Sequence, residues 1–366
     1  MTRNKIRVLI VDDNAIDREL LTSFLEEQPD FEVVGQAADA FEARGKVKSL
    51  RPDVLTLDVS MPGMSGIQFL SNLMRLQPMP VVMCSATTEA GADVTLEALA
   101  IGAVDFVTKP GTGSRTLTEY RDTVVAKLRA AAYAQVRRPT VTGATGAPLR
   151  TTPGSQSVPA HPAAARLGRA VDVIAIGAST GGVAAIESLL ETVPAGVLPP
   201  VLVTQHIPAG FSRRFAERLH AQLPHTVLEA TPDARLEPGH VYIAPGGQQF
   251  SIVRRGDGYR CVVERGERVN LHRPSVDVLF HSVAEHAGSR AIGVMLTGMG
   301  SDGAQGMRAM RERGAYNIVQ DEASSTVWGM PGAAAELGAA HLQLPLPRIG
   351  PTLCQIVGAV VPPPRD

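Results

Sequence analysis

The stretch DVIAIGASTGGVAAIESLL, residues 172–190, reads as a strand, a turn of small residues and a helix in immediate succession. Its apolar run 172–178 has the length of a buried strand, and the residues after Gly182 place apolar side chains at helical spacing. PVLVTQ (200–205) and AIGVMLTG (291–298) are further strands of the same kind. HVYIAP (240–245) and QFSIVRR (249–255) lead through Gly256-Asp257-Gly258 into YRCVVE (259–264), where Asp-Gly favours a tight antiparallel turn. Strands separated by helices form a parallel sheet covered on both faces. The C-terminal half is therefore expected to be doubly wound α/β, mostly parallel, with an antiparallel hairpin.

The N-terminal half repeats the alternation. Its strands are RVLIVD (7–12), FEVVGQA (31–37), DVLTLD (53–58), PVVMCS (80–85) and DFVTK (105–109), with helical patterns such as 15–27 and 66–76 between them. The two halves are joined by a biased stretch. Residues 131–170 carry five Arg and no acid, and Ala, Pro, Gly, Thr and Ser fill 26 of the 40 positions. Such a segment has few apolar groups to offset the entropy of ordering it. The expected division is a domain over 1–136, a flexible linker over 137–169 and a second domain over 170–362, with the Pro-rich last ~20 residues fraying. A length of 366 residues fits two domains.

Composition narrows the function classes. Formal charge is −1, and residues 171–366 hold 16 bases against 18 acids, so neither the chain nor its C-terminal half has a nucleic-acid footprint. Three scattered cysteines, Cys84, Cys261 and Cys354, make neither a disulfide framework nor a Cys-x-x-Cys metal site. The N-terminus reaches its first strand within six residues, and no apolar run nears the ~20 residues that span a bilayer. These features predict a cytoplasmic protein with no membrane insertion.

In the first half Asp12 and Asp13, Asp58, Ser85 and Lys109 all stand at strand ends, which share one crevice in an open parallel sheet. Three neighbouring carboxylates repel one another, and a hard divalent cation such as Mg²⁺ relieves them. Asp58 is then placed to attack a phosphoryl group, with Lys109 and Ser85 to bind its oxygens. Any single strand-end Asp is explained as well by helix capping. Five such residues at four of the five strand ends are not. This region resembles a response-regulator receiver domain. The resemblance implies strand order 2-1-3-4-5, metal binding by Asp12, Asp13 and Asp58, phosphorylation of Asp58, and a switch formed by Ser85, Phe106 and Lys109.

In the second half Ser179 occupies the strand-to-helix turn. A dinucleotide loop would need Gly where Ser179 stands. A plain helix cap is the second reading, and a nucleophile turn the third. The company of Ser179 favours the last. His206 follows the strand ending at Gln205, and Asp302 lies in TGMGSDG (297–303) after strand 291–298. A Ser hydroxyl needs a base to take its proton, and the base needs an acid to orient it. His272, Arg273 and Ser275 are explained equally by the start of a helix. Arg213, Arg214 and Arg218 fit a solvated helix face or one turned to an acidic partner.

The motifs IGASTGG (176–182), TQHIPAGFSRRFAERL (204–219), YIAPGG (242–247), HRPSVDVLFHSVAEHAG (272–288), LTGMGSDGAQGM (296–307) and GMP (329–331) are similar to those of the chemotaxis protein-glutamate methylesterase/protein-glutamine glutaminase (CheB) family. That resemblance implies Ser179 as nucleophile, His206 as base, Asp302 as its orienter, and Thr180 and Met299 as oxyanion-hole contributors. It implies hydrolysis of glutamate methyl esters and glutamines on chemoreceptor signalling helices, no cofactor for that step, Mg²⁺ in the receiver, and a chemotaxis histidine kinase as phosphodonor. The receiver is expected to cover the entrance to Ser179 until Asp58 is phosphorylated. The competing expectations are a DNA-contacting output, disfavoured by charge, and a receiver-gated scaffold without catalysis.

Overall fold

The computed structural model describes residues 5–85, 89–110, 116–136 and 170–358. The expected linker 137–169 and residues 359–366 lie outside the described residues. In the N-terminal half, β1 (Ile6–Val11), α1 (Ala15–Glu26), β2 (Phe31–Ala37), α2 (Ala40–Leu50), β3 (Val54–Asp58), α3 (Gly66–Leu76), β4 (Val81–Ser85), α4 (Glu89–Ile101), β5 (Asp105–Thr108) and α5 (Leu117–Ala132) alternate without exception. The helices start where local chemistry dictates. Asn14 and Asp39 accept from the first-turn N–H groups of α1 and α2, and Ser65/Gln68 and Thr116/Glu119 form reciprocal capping boxes on α3 and α5.

The five strands pair in parallel in the order β2-β1-β3-β4-β5, the 2-1-3-4-5 arrangement that the resemblance implies. Strand alternation sends Leu9 and Val11 into one apolar layer and Val8 and Ile10 into the other, and all four are buried. The strands therefore read as continuous apolar runs.

The C-terminal half contains β6 (Val173–Ala178), α6 (Gly182–Glu191), β7 (Val201–Gln205), α7 (Phe211–Gln222), β8 (Thr226–Glu229), β9 (His240–Ile243), β10 (Gln249–Arg255), β11 (Gly258–Glu264), α8 (Val276–His286), β12 (Ala291–Met295), α9 (Ala304–Glu312), β13 (Tyr316–Gln320), α10 (Met330–Glu336), β14 (Leu342–Leu344) and α11 (Leu346–Ile356). Seven strands form one sheet, β14-β13-β12-β6-β7-β9-β8, and every pairing in it is parallel. The antiparallel hairpin is present but stands apart as the two-stranded β10–β11 sheet, while β9 joins the main sheet beside β7 and β8. From β6 the chain first builds outward through β7, β8 and β9, then returns to the other side with β12, β13 and β14. The strand order reverses at β6, where a doubly wound sheet opens a crevice.

The fraying expected of the last ~20 residues is corrected for their first part. α11 packs against α6, with Ile349, Leu353 and Cys354 fully buried. Ile349 and Leu353 each contribute roughly 1.5–3 kcal/mol of burial, which together offset the ~3 kcal/mol cost of Pro351 within the helix. Among the described residues no helix is long and apolar enough to cross a membrane.

The two halves touch. α4 packs on α6 and α7, and Phe106 of β5 stacks on Phe211 of α7 with ring centroids 4.9 Å apart. Thr180 Oγ1 donates to Asp105 Oδ2 at 2.5 Å, both residues being buried. Exposed ion pairs, Arg214–Asp93 at 3.8 Å and Arg268–Glu119 at 3.9 Å, border this contact and contribute about 0–1 kcal/mol each.

Candidate active site

The carboxyl ends of β6, β7 and β12, three adjacent strands, carry Ser179, His206 and Asp302. Ser179 follows the last residue of β6. Its N–H donates to Thr297 O at 3.0 Å, and its carbonyl accepts from Gly182 N–H at 2.7 Å and Gln205 Nε2 at 2.9 Å. Those bonds fold the chain sharply into α6. The turn then needs a left-handed residue, which Gly181 supplies at φ 77, and a Cβ there would meet Thr326 Oγ1 at 2.5 Å. Among the described residues the N–H groups of Thr180 and Met299 donate to no protein acceptor, and that of Thr180 lies just before the start of α6, where donors are unpaired and the dipole favours negative charge.

His206 Nε2 lies 2.7 Å from Asp302 Oδ2. The imidazole is almost wholly buried, and its Nδ1 has no hydrogen-bond partner among the described residues. With Asp302 ionised, Nε2 carries the proton and donates it, which leaves the Nδ1 lone pair available as a base. No hydrogen bond joins His206 to Ser179 Oγ among the described residues; such bonds often tighten only when substrate binds.

Asp302 sits in a cradle of donors. Besides His206, Oδ2 accepts from Val276 N–H at 2.7 Å, while Oδ1 accepts from Ser275 Oγ at 2.7 Å and Asn270 Nδ2 at 2.8 Å. Burial alone would raise this carboxyl, but the bonds from His206, Asn270 and Ser275 outweigh it and hold the group below the usual carboxylate range. Ser275 occupies the N-cap position of α8 yet makes no side-chain cap bond; its hydroxyl serves Asp302 instead. Arg273 Nη1 donates to Gly266 O at 2.9 Å.

His272 stacks on His206 with ring centroids 3.6 Å apart. Burial, aided by the neighbouring His206, pushes the His272 pKa down to about 3. An unfolded histidine titrates near pH ~6.5, so between that pH and about 3 the unfolded chain binds a proton that the folded chain excludes. Stability from this residue is complete above the window and falls as pH drops through it, by up to ~1.4 kcal/mol per pH unit. Replacing His272 with Gln should flatten the fall in melting temperature between pH 6.5 and 4. An unchanged slope would remove this explanation.

At the other sheet, the switch between β1 and β3 brings Asp12 and Asp58 together. Asp12, Asp13 and Asp58 each offer a carboxylate oxygen, all within 4.8 Å of one another. Lys109 Nζ meets Asp58 at 2.6 Å, Asp12 at 2.7 Å and Asp17 at 2.9 Å. Three carboxylates thus share one ammonium with Asp13 beside them, and the residual negative charge on hard oxygen donors fits Mg²⁺. Burial raises the Asp58 carboxyl, the Lys109 hydrogen bond opposes that, and the Asp12 charge adds to it. Ser85 Oγ donates to Gly91 O at 3.3 Å. Phe106 is buried against Phe211.

Asp17, Asp105 and Asn270 were not visible as site neighbours in the sequence. Asp17 had a weak signal, one helical turn after the Asp12-Asp13 pair. Asp105 and Asn270 had none, because each acts across a long sequence separation.

Two family models match the chain: response regulator receiver domain over residues 8–121, and CheB methylesterase over residues 174–353. A protein-glutamate methylesterase/protein-glutamine glutaminase 1 of Xanthomonas campestris is 51% identical over 352 residues, covering 95% of this chain and 96% of that one. One from Caulobacter vibrioides is 49% identical over 355 residues, covering 97% and 99% respectively. The crystal structure of the Thermotoga maritima CheB methylesterase catalytic domain superposes with a TM-score of 0.50 at 33% identity, covering 52% of this chain and 100% of that one.

Proposed function

The chain belongs to the protein-glutamate methylesterase/protein-glutamine glutaminase family, a receiver domain joined to a CheB methylesterase domain, and from that premise we propose how its own residues divide the work. The family activity is demethylation of glutamate methyl esters and deamidation of glutamines in chemotaxis, under receiver control. Chemoreceptors are the substrate class and a kinase supplies the phosphoryl group. The finer assignments, signalling helices as the target and a chemotaxis histidine kinase as the donor, follow the same reading, as does a linker over 137–169 between domains 1–136 and 170–362.

Ser179 Oγ attacks the acyl carbon of the ester or amide while its proton passes to His206 Nδ1. Asp302 holds the opposite nitrogen, fixing the tautomer and stabilising the imidazolium that forms. The N–H groups of Thr180 and Met299 stabilise the oxyanion, a role in which losing one donor typically costs ~10²–10³ in turnover. His206 then returns the proton to the departing methanol or ammonia. Water enters by the reverse path, giving a proton to His206 and its oxygen to the acyl carbon, and Ser179 is released with glutamate as product. The single observation that carries this reading is the buried His206–Asp302 pair at 2.7 Å, with Nδ1 left without a partner among the described residues. Methanol release from methylated receptor, measured with and without a small-molecule phosphodonor, tests it: release that depends on Ser179 is expected, and release unaffected by Ser179→Ala would exclude it.

In the receiver, Asp58 accepts the phosphoryl group, and Lys109 and Ser85 bind its oxygens. Asp12, Asp13 and Asp58 would hold Mg²⁺, whose charge neutralises the incoming anion. Asp58 should therefore be phosphorylated by acetyl phosphate only when Mg²⁺ is supplied. Incorporation measured by intact mass should vanish on chelation and in Asp58→Asn, and survival in either condition would sink the assignment.

A further inference from the structure

The tetrapeptide Val269-Asn270-Leu271-His272 forms a tight turn, closed by Val269 N–H to His272 O at 3.1 Å and His272 N–H to Val269 O at 2.9 Å. Asn270 and Leu271 both lie in the left-handed region, at φ 51 and φ 68. Asn tolerates that region because its short polar side chain can bond locally; Leu does not share that advantage. Leu271 is 84% exposed at the apex, so its own packing does not explain the turn. Both side chains flanking it reach the catalytic pair: His272 stacks on His206, and Asn270 meets Asp302.

The Asn270 carboxamide has a specific position. Nδ2 donates to Asp302 Oδ1 at 2.8 Å and to Asp277 Oδ2 at 2.7 Å, one hydrogen to each. Ionised carboxylates only accept, so the amide nitrogen must be the atom that faces them. Asp302 has about four lone-pair sites, and His206, Val276 N–H and Ser275 occupy three of them at 2.7 Å. Asn270 takes the fourth at 2.8 Å, and Asp277 N–H makes only a longer contact to Oδ1 at 3.4 Å. The other Asp277 oxygen accepts from Gly306 N–H at 2.6 Å, so Asn270 stands as the donor between two neighbouring acids.

We propose that Asn270 is a positioning residue for the hydrolysis: by bridging Asp302 and Asp277 it fixes the carboxylate orientation in which Asp302 holds His206. The inference rests on the reading of Ser179, His206 and Asp302 given above. Without the bridge, Asp302 Oδ1 and Asp277 Oδ2 lose the donor they share, and Asp302 can relax by turning away from His206 or by sharing a proton with Asp277. Asn270 acts through Asp302 and not on the substrate, so its loss lowers kcat and leaves KM unchanged.

The test uses the full chain with Mg²⁺ and acetyl phosphate present, and initial rates of methanol release from methylated receptor across pH. Asn270→Gly keeps the left-handed backbone and removes the donor. It should lower kcat about tenfold to hundredfold, in line with a hydrogen bond to a charged group, with KM within about twofold of the unsubstituted chain on the same reasoning. Asn270→Asp also tolerates the backbone but introduces a third carboxyl group. Near neutral pH it should lose at least as much as Asn270→Gly. At lower pH the new group takes a proton and regains an O–H donor, so its rate relative to the unsubstituted chain should rise. A purely structural turn would not produce that pH-dependent recovery. Full kcat in Asn270→Gly, or a pH-independent rate ratio in Asn270→Asp, overturns the inference. Ser179→Ala in the same assay separates the two levels: if it stays active, the catalytic reading itself fails. If Ser179→Ala is inactive while Asn270→Gly is fully active, the positioning role alone fails.

Discussion

Ser179→Ala and His206→Ala should each lower the esterase rate ~10³-fold or more, and the double variant should be little worse than either. The expectation comes from how the residues share one task. Ser179 is a weak nucleophile until its proton leaves, and a base with nothing to deprotonate contributes little. Removing one partner therefore removes most of what the other offers. Both variants should fold. Ser179 is held by backbone bonds to Thr297, Gly182 and Gln205, none of which uses its hydroxyl. His206→Ala leaves Asp302 with Val276 N–H, Ser275 and Asn270. Multiplicative losses in the double variant would show that the two act independently and would count against a common mechanism.

Removing the receiver, residues 1–136, should raise basal esterase activity, by up to ~10²-fold if the closed form holds 99 of 100 molecules. The contact between the halves gives this a physical basis. Thr180, whose N–H is assigned to the oxyanion hole, gives its hydroxyl to Asp105 of the receiver. Asp105 is held in turn by Lys127 at 2.6 Å, and Phe106 next to it is stacked on Phe211. The receiver thus grips the residue beside Ser179, with an apolar contact at its back. Phosphorylation of Asp58 would draw on Lys109 and Ser85 at the carboxyl ends of β5 and β4, and Phe106, also on β5, lies in the interface itself. A packed contact of this kind changes state instead of sliding. A shift from 1:99 to 99:1 needs ~5.5 kcal/mol of differential stabilisation. The phosphodonor should have no effect on the truncated enzyme. If truncation leaves basal activity unchanged or lowers it, the receiver activates or targets the hydrolase and occlusion is wrong.

The features legible in the sequence were those fixed by neighbours in the chain. Asp12, Asp58, Ser179 and His206 stand at the ends of β-branched runs, and a parallel sheet gathers such ends at one edge whatever the rest of the chain does. Elements that depend on distant partners were harder to read. The apolar residues Leu346, Ile349, Leu353 and Ile356 have helical spacing, but Pro345, Pro347 and Pro351 obscure α11, and only its packing on α6 explains the helix. β13 carries Asn317 and Gln320, which look wrong for a core strand. Asn317 bonds to Met307 O and Ala339 O, and Gln320 to Thr297 N–H and Ser324. HVYIAP reads as part of the hairpin because it precedes QFSIVRR in the chain, whereas β9 finds its partners in β7 and β8. The Asp302 cradle was invisible for the same reason, since Asn270, Ser275 and Val276 come from a turn some thirty residues away.

The central claim is that Ser179 is a nucleophile whose access depends on the receiver. The most direct measurement is the rate of covalent labelling of the intact chain by a fluorophosphonate, with the modified peptide identified by mass spectrometry, before and after phosphorylation of Asp58. The account predicts modification at Ser179, faster after phosphorylation and abolished by His206→Ala. Labelling at another serine, or labelling of Ser179 at a rate that neither phosphorylation nor His206→Ala changes, would contradict it.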